Sequence, residues 1–340
     1  MKIRLMWADS LKGWLMILVV IGHAIQSFLH EECHNDHVWN LIYSFHMPAF
    51  MAVSGWLNYR IGSTSKLVNC DLKVYLNNCK RRSFQLLVPY FVWSLIQFIR
   101  LEDYSIQNLS KMIFYPDAYL WFLWVLFWIC VLFNLAQLIA SKCKINEMIP
   151  IGGFCIILMI FMVGLEFRMF GFQFLAYYFL FYTIGYCLHK YEIKLLCQWK
   201  CLVPLFCLWL ILAWGWTMHG LPSWMPVIPN VPSALLQYAY RGFTAFVAIV
   251  FLIGVAPMIL NGTGQLNIFI SRVGVVSLGM YAGHLVFLGY VKNLFLQAFP
   301  ELNIWCGIAV TSVFTFIIAY LMIRLIEKNK YTARIFLGKI

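Results

Sequence analysis

Charge is what this chain has least of. Asp, Glu, Lys and Arg make up 11% of its 340 residues, against 63% apolar residues, and the mean hydropathy is +0.79. A water-soluble globule carries about 25% charged residues, so that class is excluded and a polytopic membrane protein is left. Ordered cysteine pairs are also missing. Eleven cysteines are scattered, mostly inside apolar stretches, and Cys33 is the one in a clearly outer connection, so no disulfide framework is encoded. Cys197 and Cys201 have a metal-like spacing but no second pair, and no metal is expected. No linker or low-complexity segment interrupts the chain, which reads as one domain over residues 1–340. The first apolar run carries Asp9 and Lys12 and has no small-residue cleavage site, so the first helix is expected to stay in place rather than leave as a signal.

What is there is a series of apolar stretches, near 8–29, 38–59, 83–100, 118–140, 149–165, 172–188, 202–218, 233–256, 272–297 and 302–325. Each can cross about 30 Å of hydrocarbon as a helix. The expected fold is an all-α bundle of about ten transmembrane helices. Placing the N-terminus inside puts twenty of the 25 Lys and Arg on the inner side and leaves Arg100, Lys111, Arg168, Arg241 and Lys292 outside. That asymmetry marks cytoplasmic loops, so both termini are expected in the cytoplasm, and a bacterial source would place the protein in the inner membrane. The net charge of +12 is mostly this bias. The bilayer, not nucleic acid, is the implied partner.

The few charges inside the apolar stretches are therefore informative, because an intramembrane ionisable group costs a few kcal/mol and usually marks function. Asp9, Lys12 and His23 share one stripe of the first helix. Lys12 and His23 are eleven residues apart, about three turns and roughly 16 Å. The alternative is a basic flank at the headgroups plus one satisfied histidine. By the same rise, His23 lies roughly 16 Å from the inner end of its helix, His46 roughly 12 Å and Arg241 some 12 Å from the outer ends of theirs, and His284 roughly 18 Å up the ninth. Ser277, Tyr281 and His284 form one polar face at i, i+4 and i+7. Each has a bland alternative: a histidine bonded to a backbone carbonyl, or a tyrosine that packs with its hydroxyl satisfied. Ser54-Gly55 is expected near the level of Lys12, for close helix packing or for a ligand. The triplet Lys80-Arg81-Arg82 opens the third expected helix as a topology signal or as a seat for the phosphates of a nucleotide donor. His30-Glu31-Glu32-Cys33-His34 fits the His-Glu-x-x-His zinc pattern, but lies in a short outer connection and reads as a solvated turn.

Taken in order, these pieces resemble the acyltransferase-3 family of integral membrane acyltransferases, above all its fucose 4-O-acetylase-like branch. The resemblance runs through Asp9, Lys12 and His23, then Phe45-His46-Met-Pro-Ala-Phe-Met-Ala-Val-Ser54-Gly55-Trp-Leu, Arg82 with Leu-Val-Pro89-Tyr90, Trp121-Phe-Leu, Phe181-Tyr-Thr-Ile-Gly185-Tyr, Tyr240-Arg241, and Ser277-Leu-Gly-Met-Tyr281-Ala-Gly-His284. The family commonly has arginine where this chain has Lys12, which keeps the charge and loses the planar fork. The resemblance implies acyl transfer from cytoplasmic acyl-CoA, usually acetyl-CoA, to a sugar hydroxyl of a lipid-linked or cell-surface glycan. His23 would draw the proton from the acceptor hydroxyl as the base or would relay the acetyl group, and Asp9 would position Lys12. Lys12, Arg81, Arg82 and Ser54 would serve the CoA donor. On the acceptor side, Arg241 and Tyr281 would supply donors to the oxyanion, and His46 and His284 would orient His23 or contact the sugar. A proton-coupled secondary transporter is the rival reading; no internal repeat and no pair of broken helices is visible in the sequence to support it. A metalloprotease is a third.

Overall fold

The structure is a computed structural model that describes residues 5–64, 70–100, 105–165, 169–192, 198–226, 231–301 and 303–339. Lys2, Arg4, Lys66, Arg168, Lys194 and Cys197, which enter the charge asymmetry and the cysteine spacing, lie outside the described residues. The helices in chain order are α1 Met6–Leu29, α2 His37–Tyr43, α3 His46–Thr64, α4 Leu72–Arg100, α5 Ile106–Phe114, α6 Trp121–Cys143, α7 Met148–Leu165, α8 Phe172–Lys190, α9 Trp199–Trp214, α10 Ser233–Ile259, α11 Gln265–Val275, α12 Ser277–Ala298, α13 Ile304–Lys328 and α14 Lys330–Leu337. The described residues contain no strand, and the fold is all-α.

Among the described residues four helical runs are long and apolar enough to cross a membrane alone: Met6–Asn35, α6, α10 and α13. Helices α11 and α12 qualify together across an 80° bend. The other stretches of the expected ten coincide with α2 plus α3, α4, α7, α8 and α9. Helix α13 shows how a lipid-facing helix is written. Val313, Phe314 and Ile317 are exposed on one stripe, while Thr311, Thr315 and Ala319 are fully buried on the other. The chain is an integral membrane protein.

Three elements differ from the sequence expectation, each for a local reason. The stretch 38–59 is not one helix, because the Pro48 nitrogen has no proton to give the Ser44 carbonyl. Helix α2 ends at Tyr43, the Ser44 hydroxyl turns back to the Leu41 carbonyl at 2.7 Å, and α3 starts at His46 with Pro48 in its first turn, where proline is tolerated. The stretch 272–297 bends at Val276. There the Ser277 hydroxyl donates to the Gly274 carbonyl at 2.9 Å, which the Val276 N–H also reaches. Third, Lys80-Arg81-Arg82 does not open α4 but lies within it, since that helix begins at Leu72.

The contacts divide the chain into two compact units, residues 1–53 with 191–323, and residues 54–190 with 324–340. In the first, α1 is the hub, packed by α2, α10, α11 and α12, with α9 against α10. Its α1–α11 crossing is very close: a Cβ on Gly274 would sit 1.7 Å from the Asp9 carbonyl oxygen, and one on Gly13 would sit 2.2 Å from that of Ile270. Above it, Ala24, Ile25, Trp39, Ile42, Trp216, Tyr240, Leu288 and Ile308 form a buried cluster. Asp36 caps α2 by accepting from the Trp39 N–H at 2.8 Å. In the second unit α4 packs on α6 and α14, and α8 on α6 and α7. Asn329 caps α14, whose Phe336 carbonyl accepts from the Trp93 indole at 2.9 Å.

Candidate functional site

Helix α1 carries the polar stripe. The Lys12 ammonium donates to Asp9 Oδ1 at 2.7 Å, both side chains being largely buried, an i, i+3 pair on one face. It stands where α11 crosses α1, because Gly274 is the residue seated on Asp9. His23 follows three turns further along, partly exposed. Its ring centroid lies 5.2 Å from that of His284 on α12, with the planes tilted by 44°. Two histidines 261 positions apart in the chain thus become neighbours.

His284 is fully buried. Its Nδ1 lies 2.8 Å from the Tyr281 carbonyl oxygen and 3.2 Å from that of Met280. His46 is buried as well, and its Nδ1 lies 2.7 Å from the Ile42 carbonyl oxygen. Carbonyl oxygens only accept, so both rings carry their proton on Nδ1, and Nε2 of each neutral ring is an acceptor. Nε2 of His284 is buried and meets no hydrogen-bond partner among the described residues. Both histidines lie within electrostatic reach of His23. The bland alternative for His46 and His284, a carbonyl partner, is therefore realised at one nitrogen of each ring.

A track of rings leads away from His46. Tyr43 meets it edge-on at 4.8 Å and stacks on Trp39 at 3.8 Å. Trp216 follows at 6.4 Å, and the Arg241 guanidinium lies over Trp216, 5.1 Å from its centroid. Arg241 also donates to the Met218 carbonyl at 3.4 Å. The Tyr43 hydroxyl donates to Gln26 Oε1 at 3.2 Å, one turn beyond His23. Tyr281 is buried, 6.0 Å from the His284 ring. Asp9, Lys12, His23, His46, Arg241, Tyr281 and His284 thus all belong to the first unit. Ser54, Arg81 and Arg82 belong to the second. In that unit Arg82 donates to Gln85 Oε1 at 3.2 Å.

Trp39, Tyr43 and Trp216 escaped the sequence reading, since aromatic residues are so common in this chain that none stands out; the i, i+4 pair Trp39 and Tyr43 was the available signal. Lys292 is counted in the sequence among the outer-side charges. It also donates to the Ser27 carbonyl and lies 5.1 Å over the Phe28 ring, tying α12 to α1 four residues beyond His23 and eight beyond His284. The zinc-like pattern folds as a 3-10 turn, His30–Asn35, rather than the helix such a site needs. Its His34 is not simply solvated, but packs edge-on against Trp39 at 5.1 Å and His219 at 4.8 Å.

Two curated relatives are both named nodulation protein NolL. The one from Sinorhizobium fredii is 35% identical over 102 residues, 28% of this chain and 25% of the relative. The one from Mesorhizobium japonicum is 36% identical over 90 residues, 25% of this chain and 21% of the relative. The alignments thus span about a quarter of the length of the curated relatives. No solved structure matches the chain. The acyltransferase-3 family model, described as an acyltransferase domain, matches residues 5–324, and on that near-complete match the chain belongs to the acyltransferase-3 family.

Proposed function

We propose that this protein is a membrane O-acyltransferase that moves an acetyl group from cytoplasmic acetyl-CoA to a sugar hydroxyl of a lipid-linked or cell-surface glycan. The observation that carries the reading is the partly exposed His23 beside the buried, proton-fixed His284, in a chain of this family. His23 takes the proton of the acceptor hydroxyl as its oxygen attacks the thioester carbonyl. The carbon–oxygen bond forms, the carbon–sulfur bond breaks, and the imidazolium returns the proton to the leaving CoA thiolate. Imidazole suits both steps because its free nitrogen can accept a proton and give it back.

Lys12 holds the donor, with Asp9 fixing its position through their ion pair. Arg81 and Arg82, with Ser54, serve the CoA phosphates and pantetheine. Arg82 suits a phosphate, because its recorded partner is the neutral Gln85 and no carboxylate pairs with it among the described residues. On the acceptor side, the half-buried ring of Tyr43, backed by the buried Trp39 and Trp216, offers a stacking surface for a sugar, and Arg241 and Tyr281 supply polar contacts. A bacterial source would put this chemistry in the inner membrane, with CoA entering from the cytoplasm.

The test is transfer of radiolabelled acetyl from acetyl-CoA to the host's membrane glycolipid fraction, comparing wild type with His23→Ala at matched protein level. Label that appears with wild type and vanishes with the variant is the expected result. Label independent of the protein refutes the reading. The breaks at Ser44–Phe45 and at Val276 remove the continuity that the sequence offered against a transporter. Solute counterflow without consumption of acetyl-CoA would restore that rival.

A further inference from the structure

We propose that the acceptor presents two hydroxyls on adjacent carbons, of which one is acylated while the other donates a hydrogen bond to Nε2 of His284. The inference rests on the acyl-transfer reading above and names the kind of hydroxyl the site selects. Nε2 of His284 is buried without a partner among the described residues. Native proteins keep few such atoms, because the lost hydration of an unpaired buried atom is not made good. A ligand that supplies a donor removes that cost. The proton on Nδ1 is held by the Tyr281 and Met280 carbonyls, so Nε2 can only accept. A carboxylate, an ionised phosphate or an ether oxygen therefore has nothing to offer it, and a hydroxyl does.

The neighbour of that nitrogen is His23, the proposed base, which must also present a lone pair to its substrate. The two ring centroids are 5.2 Å apart. One ligand bonded to a nitrogen of each ring, at about 2.8 Å from each, must therefore carry its two oxygens close together, as hydroxyls on neighbouring carbons are. His46, likewise proton-fixed on Nδ1 by the Ile42 carbonyl, makes the surroundings a set of imidazole acceptors. Such a set is complementary to a surface dense in O–H donors. His284 is then a residue that selects the acceptor, and it also orients the reacting hydroxyl by holding its neighbour.

The experiment uses the full-length protein in its membrane, radiolabelled acetyl-CoA and the glycolipid fraction as acceptor. Mild periodate cleaves carbon–carbon bonds only between adjacent hydroxyl-bearing carbons, so pretreatment of the acceptor is expected to abolish labelling. Mapping the acetylated carbon in the product by NMR is expected to find a free hydroxyl next to it. His284→Leu is expected to lower kcat/KM for the acceptor about tenfold, the worth of one hydrogen bond, and His284→Gln, whose side-chain oxygen accepts, to restore part of the loss. Labelling that survives periodate, an acetyl group on a carbon with no hydroxyl neighbour, or wild-type kcat/KM in His284→Leu overturns the proposal. If His284→Leu does not fold, the periodate and mapping results decide alone. Absence of label with the wild-type protein and untreated acceptor instead refutes the acyl-transfer reading beneath it.

Discussion

Replacing Gly274 by alanine tests whether the α1–α11 crossing sets the donor end of the site. The added Cβ would lie 1.7 Å from the Asp9 carbonyl oxygen, 2.6 Å from its carbon and 3.0 Å from the Gly13 nitrogen. Carbon and carbonyl oxygen meet at about 3.3 Å, so the helices must separate by about 1.5 Å. Every atom in the way is backbone, and no side chain can swing aside. Overpacking of this kind costs about 3 kcal/mol, which at roughly 2 °C per kcal/mol lowers the unfolding midpoint by about 6 °C. The control is Gly152→Ala on α7, where nothing lies within 4 Å of the new Cβ and helix propensity alone gains about 1 kcal/mol. Thermal unfolding of both variants in detergent, followed by tryptophan fluorescence, reads the difference, and acetyl transfer reads its effect on the Asp9–Lys12 pair. A Gly274→Ala protein that melts with the wild type would refute the close crossing and every inference drawn from it.

Lys292→Met removes a charged hydrogen bond to Ser27, worth about 1.5–3 kcal/mol, and loosens α1 from α12; kcat for acetyl transfer should fall about tenfold with a smaller change in KM, as steady-state kinetics will show. Trp216→Ala removes the ring beneath Arg241 and should raise KM for the acceptor about tenfold while leaving KM for acetyl-CoA unchanged, measured by varying each substrate. Lys12→Met leaves Asp9 without its cation and should raise KM for acetyl-CoA, whereas Lys12→Arg, which keeps the charge and adds a planar fork, should hold it at or below the wild-type value.

The helices were legible because a membrane span needs an apolar run of fixed length, and α1, α6, α7, α8, α10 and α13 begin and end within a few residues of those runs. The breaks were legible only in part. Pro48 is a visible interrupter, but it sits in an apolar run that hydropathy reads as continuous. The bend at Val276 has no proline, and its signals, Gly274 and Ser277, are common residues in membrane helices. Periodicity along one helix placed Asp9, Lys12 and His23 on one stripe, and placed Tyr281 and His284 on another. That the two stripes meet at the His23–His284 pair is a tertiary fact, since no spacing rule joins residues 261 positions apart. The proton positions on His46 and His284 were illegible for the same reason, because they depend on which carbonyl each ring reaches. The aromatic track was hidden by abundance, in a chain in which 18% of residues are aromatic.

The missing proton of Pro48 reaches further than the helix it interrupts. In an unbroken helix the Ile42 carbonyl would be held by the main-chain N–H of His46, four residues on. With the chain turned at Ser44, that carbonyl is approached by the main-chain N–H groups of Ser44 and Phe45, the latter at a long 3.4 Å, and the imidazole of His46 closes on it at 2.7 Å. A defect in the main chain thereby decides which nitrogen of a neighbouring side chain bears hydrogen and which is left with a lone pair. Repairing the helix with Pro48→Ala would look like a stabilising change by the ordinary rules of helix engineering, yet it would release the ring to either tautomer and exchange a chemically defined acceptor for an undefined one.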